Sequence, residues 1–215
     1  MSLLQFEEWP KIPRYRGELV VTEKIDGTNA QVAIDSLHTE EQLFAARKAL
    51  GLPGGPVEII TGDFDGESAR AIYAGSRSRW LQPEGIVKGG DNFGFARFVY
   101  DHAGELAKLG RGRHYGEWWG HGIQRGYGLP AGERRFSLFN VARHADSLPS
   151  CCHLVPVLAR GEAVDVDEVM RELKLNGSRA APFLDPEGVI IFHTPSRQLY
   201  KRTFEHDAGK WRAVA

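Results

Sequence analysis

Two short apolar, β-branched runs, residues 17–24 (GELVVTEK) and 30–34 (AQVAI), flank the tight segment Ile25-Asp26-Gly27-Thr28. Runs of that kind on either side of a glycine predict two strands joined at a turn. The same pattern recurs along the chain and predicts strands over 57–61, 71–74, 114–119, 136–141, 154–158, 188–193 and 198–203. Three helices are expected between them. Thr39 caps one over 40–50 that Gly51 stops, and Asp91 or Asn92 caps a second that runs to about 109, just short of Gly110. Asp165 or Asp167 opens the third, which ends near 176–177. Strands and helices mix without a repeating βαβ unit, so the expected class is α+β with largely antiparallel sheets. At 215 residues, 42% hydrophobic and 26% charged, the chain can bury a sizeable core. Those proportions exclude a disordered, collagen-like or disulfide-scaffold chain. A single domain over 1–215 is expected, with the acidic, loop-rich stretch 36–70 as its insertion.

Several chemistries are excluded by spacing. Gly120, Gly122 and Gly126 are one residue too widely spaced for a dinucleotide fingerprint, and no P-loop, zinc-protease or nucleophile-elbow pattern occurs. The 8 histidines never fall at zinc spacing, and adjacent Cys151 and Cys152 read as ordinary reduced thiols. No stretch reaches the roughly 18 apolar residues of a membrane span. The first residues carry acids and prolines where a signal peptide needs a basic and then an apolar run, so a cytoplasmic protein with no membrane partner is expected. Net charge is −1, yet residues 70–135 hold 11 basic and 6 acidic side chains, whereas residues 1–69 hold 6 and 12. A local basic face suffices to contact phosphates, and equally fits an arginine-rich solvated surface.

What remains is Glu23-Lys24-Ile25-Asp26-Gly27-Thr28-Asn29. Alone it fits an exposed hairpin as well as a reactive lysine. Its companions are Gly75-Ser76-Arg77, Tyr115-Gly116-Glu117-Trp118, Phe136-Ser137-Leu138-Phe139, Pro186-Glu187-Gly188-Val189-Ile190-Ile191 and Tyr200-Lys201-Arg202-Thr203, in that order. This series resembles the covalent nucleotidyltransferases, the ATP-dependent polynucleotide ligases and mRNA-capping enzymes, and most of all their RNA-ligase branch. The resemblance runs over residues 17–204. It rests on K-x-D-G, S-R, G-E, an aromatic strand, E-G and a lysine near the end, and Asn29 fits the RNA ligases better than the DNA ligases.

The resemblance implies a nucleotidyltransferase (ATP-grasp-like ligase) fold, in which helix-flanked antiparallel sheets hold the nucleotide between them. It also implies ATP as substrate, Mg²⁺ or Mn²⁺ as cofactor, and RNA with 5′-phosphate and 3′-hydroxyl ends as partner. A nucleophile that takes AMP from ATP and passes it on divides one hard step into easier ones. An amine attacks only when neutral, so Lys24 must shed its proton, helped by a nearby cation and partial burial. Lys201 and a divalent metal are expected on the α-phosphate, where charge builds up in the transition state. Glu187 is the expected metal ligand, and Glu117 the expected ribose contact. Phe139 offers the adenine a π-face, while Phe136, Trp118 and Trp119 are expected in the core. Glu23 and Ile25 are expected to reach the base through side chain or main chain, with Asn29 beside them. Arg77 is expected to face a phosphate, and Arg79 either a phosphate or a surface salt bridge.

Two departures accompany the resemblance. The family places two lysines one residue apart near the end, and here the second position is Thr203, so either Arg202 or Lys210 compensates or the second phosphate contact is missing. Glu205, Asp207 and Lys210 are otherwise expected in solvent. Relatives append a further domain such as an OB-fold, and only twelve residues follow Thr203. RNA specificity is then expected from this domain, from the insertion or from a separate partner protein. DNA ligation, guanylyl transfer and a catalytically silent nucleic-acid-binding module are the competing readings.

Overall fold

After Lys24 the chain does not turn back on itself. In the structure, a computed structural model that describes residues 6–11, 17–64, 66–85 and 88–205, β1 (Leu19–Lys24) and β2 (Thr28–Leu37) belong to different sheets. β1 lies between β9 (Val157–Gly161) and β10 (Gly188–His193), and β11 (Gln198–Thr203) pairs with β10 at the edge; all pairs are antiparallel. β2 sits in the second sheet between β4 (Glu67–Ser76) and β6 (Gly112–Gly120). β3 (Glu58–Phe64) and β5 (Trp80–Leu81) flank β4. β7 (Arg134–Leu138) follows β6, and β8 (Cys152–Leu154) joins β7 in the only parallel pair among the described strands.

The expected strand–turn–strand unit is therefore a crossing between sheets, and sterics explain why. At Gly27 a Cβ would lie 2.5 Å from the Trp118 carbonyl oxygen and 2.7 Å from the Trp119 Cβ. Only a glycine lets the backbone pass so close to β6. Ile25 is buried with Trp119 and Tyr127, and the Asp26 N–H donates to the Tyr127 hydroxyl at 3.1 Å, which fixes both ends of the passage.

A second crossing explains why the strand expected over 154–158 is split. The Val155 N–H donates to the Leu138 carbonyl in the second sheet, while the Pro156 carbonyl accepts from the Glu23 N–H in the first, at 3.1 and 2.9 Å. Proline has no N–H to continue a ladder, so the chain changes sheets there.

Each sheet turns one face to a helix. α4 (Val166–Asn176), capped by Asp165 and ended at Gly177, packs Met170 and Leu173 on Val21 and Val189. Behind the second sheet lie α2 (Phe95–Asp101) and α3 (Ala103–Leu106), where Phe95 meets Trp118 and Phe136 at ring distances of 5.5 and 5.1 Å. These two helices, continued by a 3₁₀ turn over Ala107–Leu109, replace the single helix expected from 91 to 109. Gly94 starts α2 at φ 76° and His102 interrupts the run at φ −112°, while the Asp91 carboxylate accepts from the Ala96 and Arg97 amides. α1 (Glu40–Ala49) has the expected Thr39 cap, completed by Gln42 as a capping box. Residues 36–70 form the end of β2, α1, β3 and the start of β4. No helix among the described residues is long and apolar enough to cross a membrane. Cys151 and Cys152 are free thiols with sulfurs 4.0 Å apart.

Because the obstacle at Gly27 includes main-chain atoms, a side chain there must push two strands apart. Gly27→Ala is expected to cost about 1–3 kcal/mol, the usual cost of overpacking, seen as a lower urea midpoint at unchanged slope. An unshifted midpoint would show that the crossing has room to spare.

Candidate active site

The faces of the two sheets that carry no helix meet across a cavity of about 750 Å³. Strand alternation decides what enters it. In the first sheet Val20, Thr22 and Lys24 point one way with Ile190, Phe192 and Lys201, and these line the cavity. Val21 and Glu23 point the other way, toward α4. From the second sheet come Asn29 and Glu117, directly opposite each other on β2 and β6, followed by Phe139 just past β7.

Lys24 ends β1 opposite Gly188, and Glu187 immediately precedes that glycine. The Lys24 Nζ donates to Glu187 Oε2 at 2.5 Å, with both side chains about one-quarter exposed or less. At Gly188 a Cβ would lie 2.1 Å from the Arg202 carbonyl oxygen, so the glycine lets β10 and β11 close up behind Glu187. Lys201 stands exposed on the cavity wall with no carboxylate partner among the described residues.

Glu117 is buried and accepts from Asn29 Nδ2 at 3.1 Å. Burial pushes its carboxyl up to about 7, against the Asn29 hydrogen bond and the charge of Lys24, so it hovers between acid and anion near neutral pH.

Other expected residues fall differently. The Glu23 side chain is buried on the α4 side, where Oε2 accepts from the Arg179 N–H at 2.8 Å and Oε1 has no hydrogen-bond partner among the described residues; burial raises its carboxyl above the ordinary value. Ile25 spends its side chain in the core. For both, the main chain is what can front the cavity. Arg77 is exposed on the loop after β4 and lines a second, adjoining cavity. Arg79 has no salt bridge among the described residues; its guanidinium binds the carbonyls of Gly89, Gly90 and Asp91 and ties down that loop. Arg202 pairs with Asp167 of α4 at 2.7 Å, on the face away from Lys201, and so cannot replace a second lysine in the cavity. Glu205, expected in solvent, is exposed but ion-paired to Arg125. Asp207 and Lys210 lie outside the described residues. Phe136, Trp118 and Trp119 are buried core, as expected.

The sequence reading missed Arg125 and Tyr127, which sit in the glycine-rich loop after β6. Arg125 Nε donates to Asp26 at 3.0 Å and Nη1 to Asp185 at 2.8 Å, and Nη2 meets Glu205. One guanidinium thus joins the segments that carry Lys24, Glu187 and Lys201. No periodicity marks such a residue, and its partners lie in three separate segments of the chain.

Among the described residues no group of three or more His, Cys, Asp or Glu side chains is placed to hold a metal. Glu187, with Glu117 nearby, fits a cation of the Mg²⁺ type, which generally binds through one or two carboxylates together with substrate phosphates.

A sequence model of the RNA ligase family matches residues 17–212. The chain belongs to the RNA ligase family. Its fold resembles Naegleria gruberi RNA ligase solved with ATP and Mn, at 16% identity and a TM-score of 0.50, covering 87% of this chain and 50% of that one. The same ligase with AMP and Mn gives 15% and 0.51, and with PPi 17% and 0.50, each covering 87% of this chain and 49% of that one. The chain therefore spans about half the length of these structures, and at such identities the likeness is one of fold. No curated protein sequence matches it.

The raised Glu117 carboxyl predicts a pH signature for this RNA ligase family member. Being raised from 4.5 to about 7, it favours the fold below pH 4.5 and loses that contribution as pH rises through 7, on the order of 3 kcal/mol. Glu117→Gln removes the term, so the variant's Tm should gain on the parent's as pH rises across that window. A difference that stays constant with pH would show that the carboxyl is solvated.

Proposed function

We propose that this chain is an ATP-dependent RNA ligase that joins 5′-phosphate and 3′-hydroxyl RNA ends through a lysyl-AMP intermediate on Lys24. The observation that carries this reading is the strand-end Lys24 in hydrogen-bond contact with Glu187, inside a cavity that also gathers Glu117, Asn29, Phe139 and Lys201.

ATP enters between the two sheets, its adenine against the ring of Phe139 and the main chain at Glu23 and Ile25. Its ribose meets Glu117 and Asn29. A carboxyl that is easily protonated can donate as well as accept, which suits a hydroxyl partner. The Lys24 amine gives up a proton along its hydrogen bond to Glu187 and attacks the α-phosphorus. An N–P bond forms, the bond to the bridging oxygen breaks, and pyrophosphate leaves with that electron pair. Lys201 stabilises the charge gathering on the α-phosphate oxygens. Arg77 takes a phosphate of the pyrophosphate or of the RNA. A divalent cation held by Glu187 would add positive charge at the phosphates. An RNA 5′-phosphate oxygen then attacks the adenylate phosphorus and frees Lys24, and an RNA 3′-hydroxyl displaces AMP to form the phosphodiester. Support comes from the family assignment and from a fold shared with a ligase solved with ATP and Mn. The reading treats the chain as one adenylation domain whose RNA choice comes from its own surface or from a partner.

Intact mass after incubation with ATP and Mg²⁺ should show one AMP adduct, absent in Lys24→Ala. An adduct retained by that variant would overturn the nucleophile. Labelling by GTP instead would point to guanylyl transfer, sealing of DNA but not RNA nicks to a DNA ligase, and RNA binding without any adduct to a silent binder.

A further inference from the structure

Beside the nucleotide cavity lies a second one, of about 420 Å³, that shares Asn29, Phe139, Asn140 and Leu199 with it. Its lining contains Arg77, Arg113 and Arg143 and no Asp or Glu. None of the three arginines has a carboxylate partner among the described residues. Six other described arginines, Arg70, Arg97, Arg125, Arg135, Arg160 and Arg202, pair with acids.

Arg113 is held in place rather than left to wander. Its Nη1 donates to Gln31 Oε1 at 3.0 Å, and its guanidinium lies 5.1 Å from the centre of the Trp80 ring. Gln31 is fixed in turn by donating to the Ser76 carbonyl at 3.1 Å, in space that exists because residue 75 is glycine: a Cβ there would lie 2.7 Å from the Gln31 side chain. Arg143 is anchored by the carbonyls of Arg111 and Arg113. Two histidines in the lining, His114 and His144, add no charge at neutral pH, because burial drives His114 down to about 4 and lowers His144 as well. The cavity's charge is that of its arginines.

Strand alternation links this cavity to the first. Glu117, Tyr115 and Arg113 share one face of β6, at steps of about 7 Å, so the row runs from the ribose position outward to the arginines. Tyr115 is 53% exposed and Phe139 43%, two aromatic faces on which an unpaired base can stack.

We propose that this second cavity seats the 5′-phosphorylated terminal nucleotide of the RNA to be joined, with Arg113 and Arg143 on its phosphate and Tyr115 against its base. A terminal phosphate carries close to two negative charges, an internal phosphodiester one, so an acid-free arginine pocket favours the end over the middle of a strand. The assignment deepens the ligase reading and rests on it, because only that chemistry requires a 5′-phosphate beside the lysyl adenylate.

The test compares single-stranded RNA carrying a 5′-phosphate with the same RNA carrying a 5′-hydroxyl, in equilibrium binding to the full chain. The native protein should prefer the phosphorylated end by about tenfold, the worth of one charge-assisted hydrogen bond. Arg113→Gln and Arg143→Gln should each erase most of that preference and lower the salt slope by about 0.7 per arginine. Both should still form the AMP adduct, which reports an intact fold. No preference in the native protein, a preference unchanged in both variants, or equal weakening of both RNAs would each overturn the seat. If the native protein forms no adduct, the ligase reading fails on its own, while the binding comparison still decides whether an end-phosphate seat exists.

Discussion

The passage from β1 to β2 must leave one sheet and enter another in three residues, Ile25, Asp26 and Gly27, while sliding beneath the backbone of β6. A bulkier residue at the third position would separate the sheets, and a longer loop would let Lys24 swing away from the cavity. Everything chemical about the site follows from this narrow crossing. It stops β1 at the lip of the cleft, so that Lys24 is the last residue bound into the first sheet. It also makes Asn29 one of the first residues bound into the second, opposite Glu117. Nucleophile and ribose-side carboxyl are therefore separated by a stretch of backbone pinned at Ile25 and Asp26.

Charge is arranged around that lip in a graded way. Lys24 faces one partly buried carboxylate, Glu187, and one buried carboxyl, Glu117, which burial holds between acid and anion near neutral pH. Were both carboxyls fully ionised, a triphosphate would enter against two negative charges. As built, it meets one carboxylate already engaged by a lysine and a second carboxyl that is only partly ionised near neutral pH, together with the cation of Lys201, which has no carboxylate partner among the described residues. Arg125 holds the frame from outside the cavity by binding Asp26, Asp185 and Glu205. Its charges are largely satisfied by these acids, so it contributes geometry rather than a field at the phosphates.

How far the sequence speaks depends on whether a property is local. β10 appears where its continuous apolar run places it, with β11 close behind, and α1 and α4 begin at Thr39 and Asp165 because caps are local chemistry. The Lys24, Glu117 and Glu187 neighbourhood was readable as an ordered series of motifs, and the fold brings them to one cavity lip. Sheet membership was not readable: nothing within residues 17–34 says that the second strand pairs with β4 and β6 rather than with the first. For the same reason the apolar run 154–158 reads as one strand, although Pro156 splits it between the two sheets. The sequence leaves the partners of Arg79 and Arg202 open, because an arginine's partner, whether loop carbonyl or helix carboxylate, is set by tertiary neighbours. The role of Arg125 is hidden in the sequence for that reason as well, since its three partners lie in segments about 60 to 100 residues away.

Alternation on β6 ties these threads together. One face of that strand presents Glu117, Tyr115 and Arg113 to the cleft, while the other buries Trp118 and His114 against the core behind it. A one-residue slip would exchange the sets and place a tryptophan where the cavity needs a carboxyl. The register is protected at both edges. Gly116, where a Cβ would lie 2.5 Å from the Ser137 carbonyl, locks β6 onto β7, and the close approach of Gly27 locks it onto the crossing. Acid near the nucleotide and arginine farther out are thus two readings of a single strand, held in phase by glycines. A change that loosens either glycine contact should disturb both cavities at once, whereas loss of Arg113 touches only the outer one. That difference separates the scaffold's contribution from the residue's own.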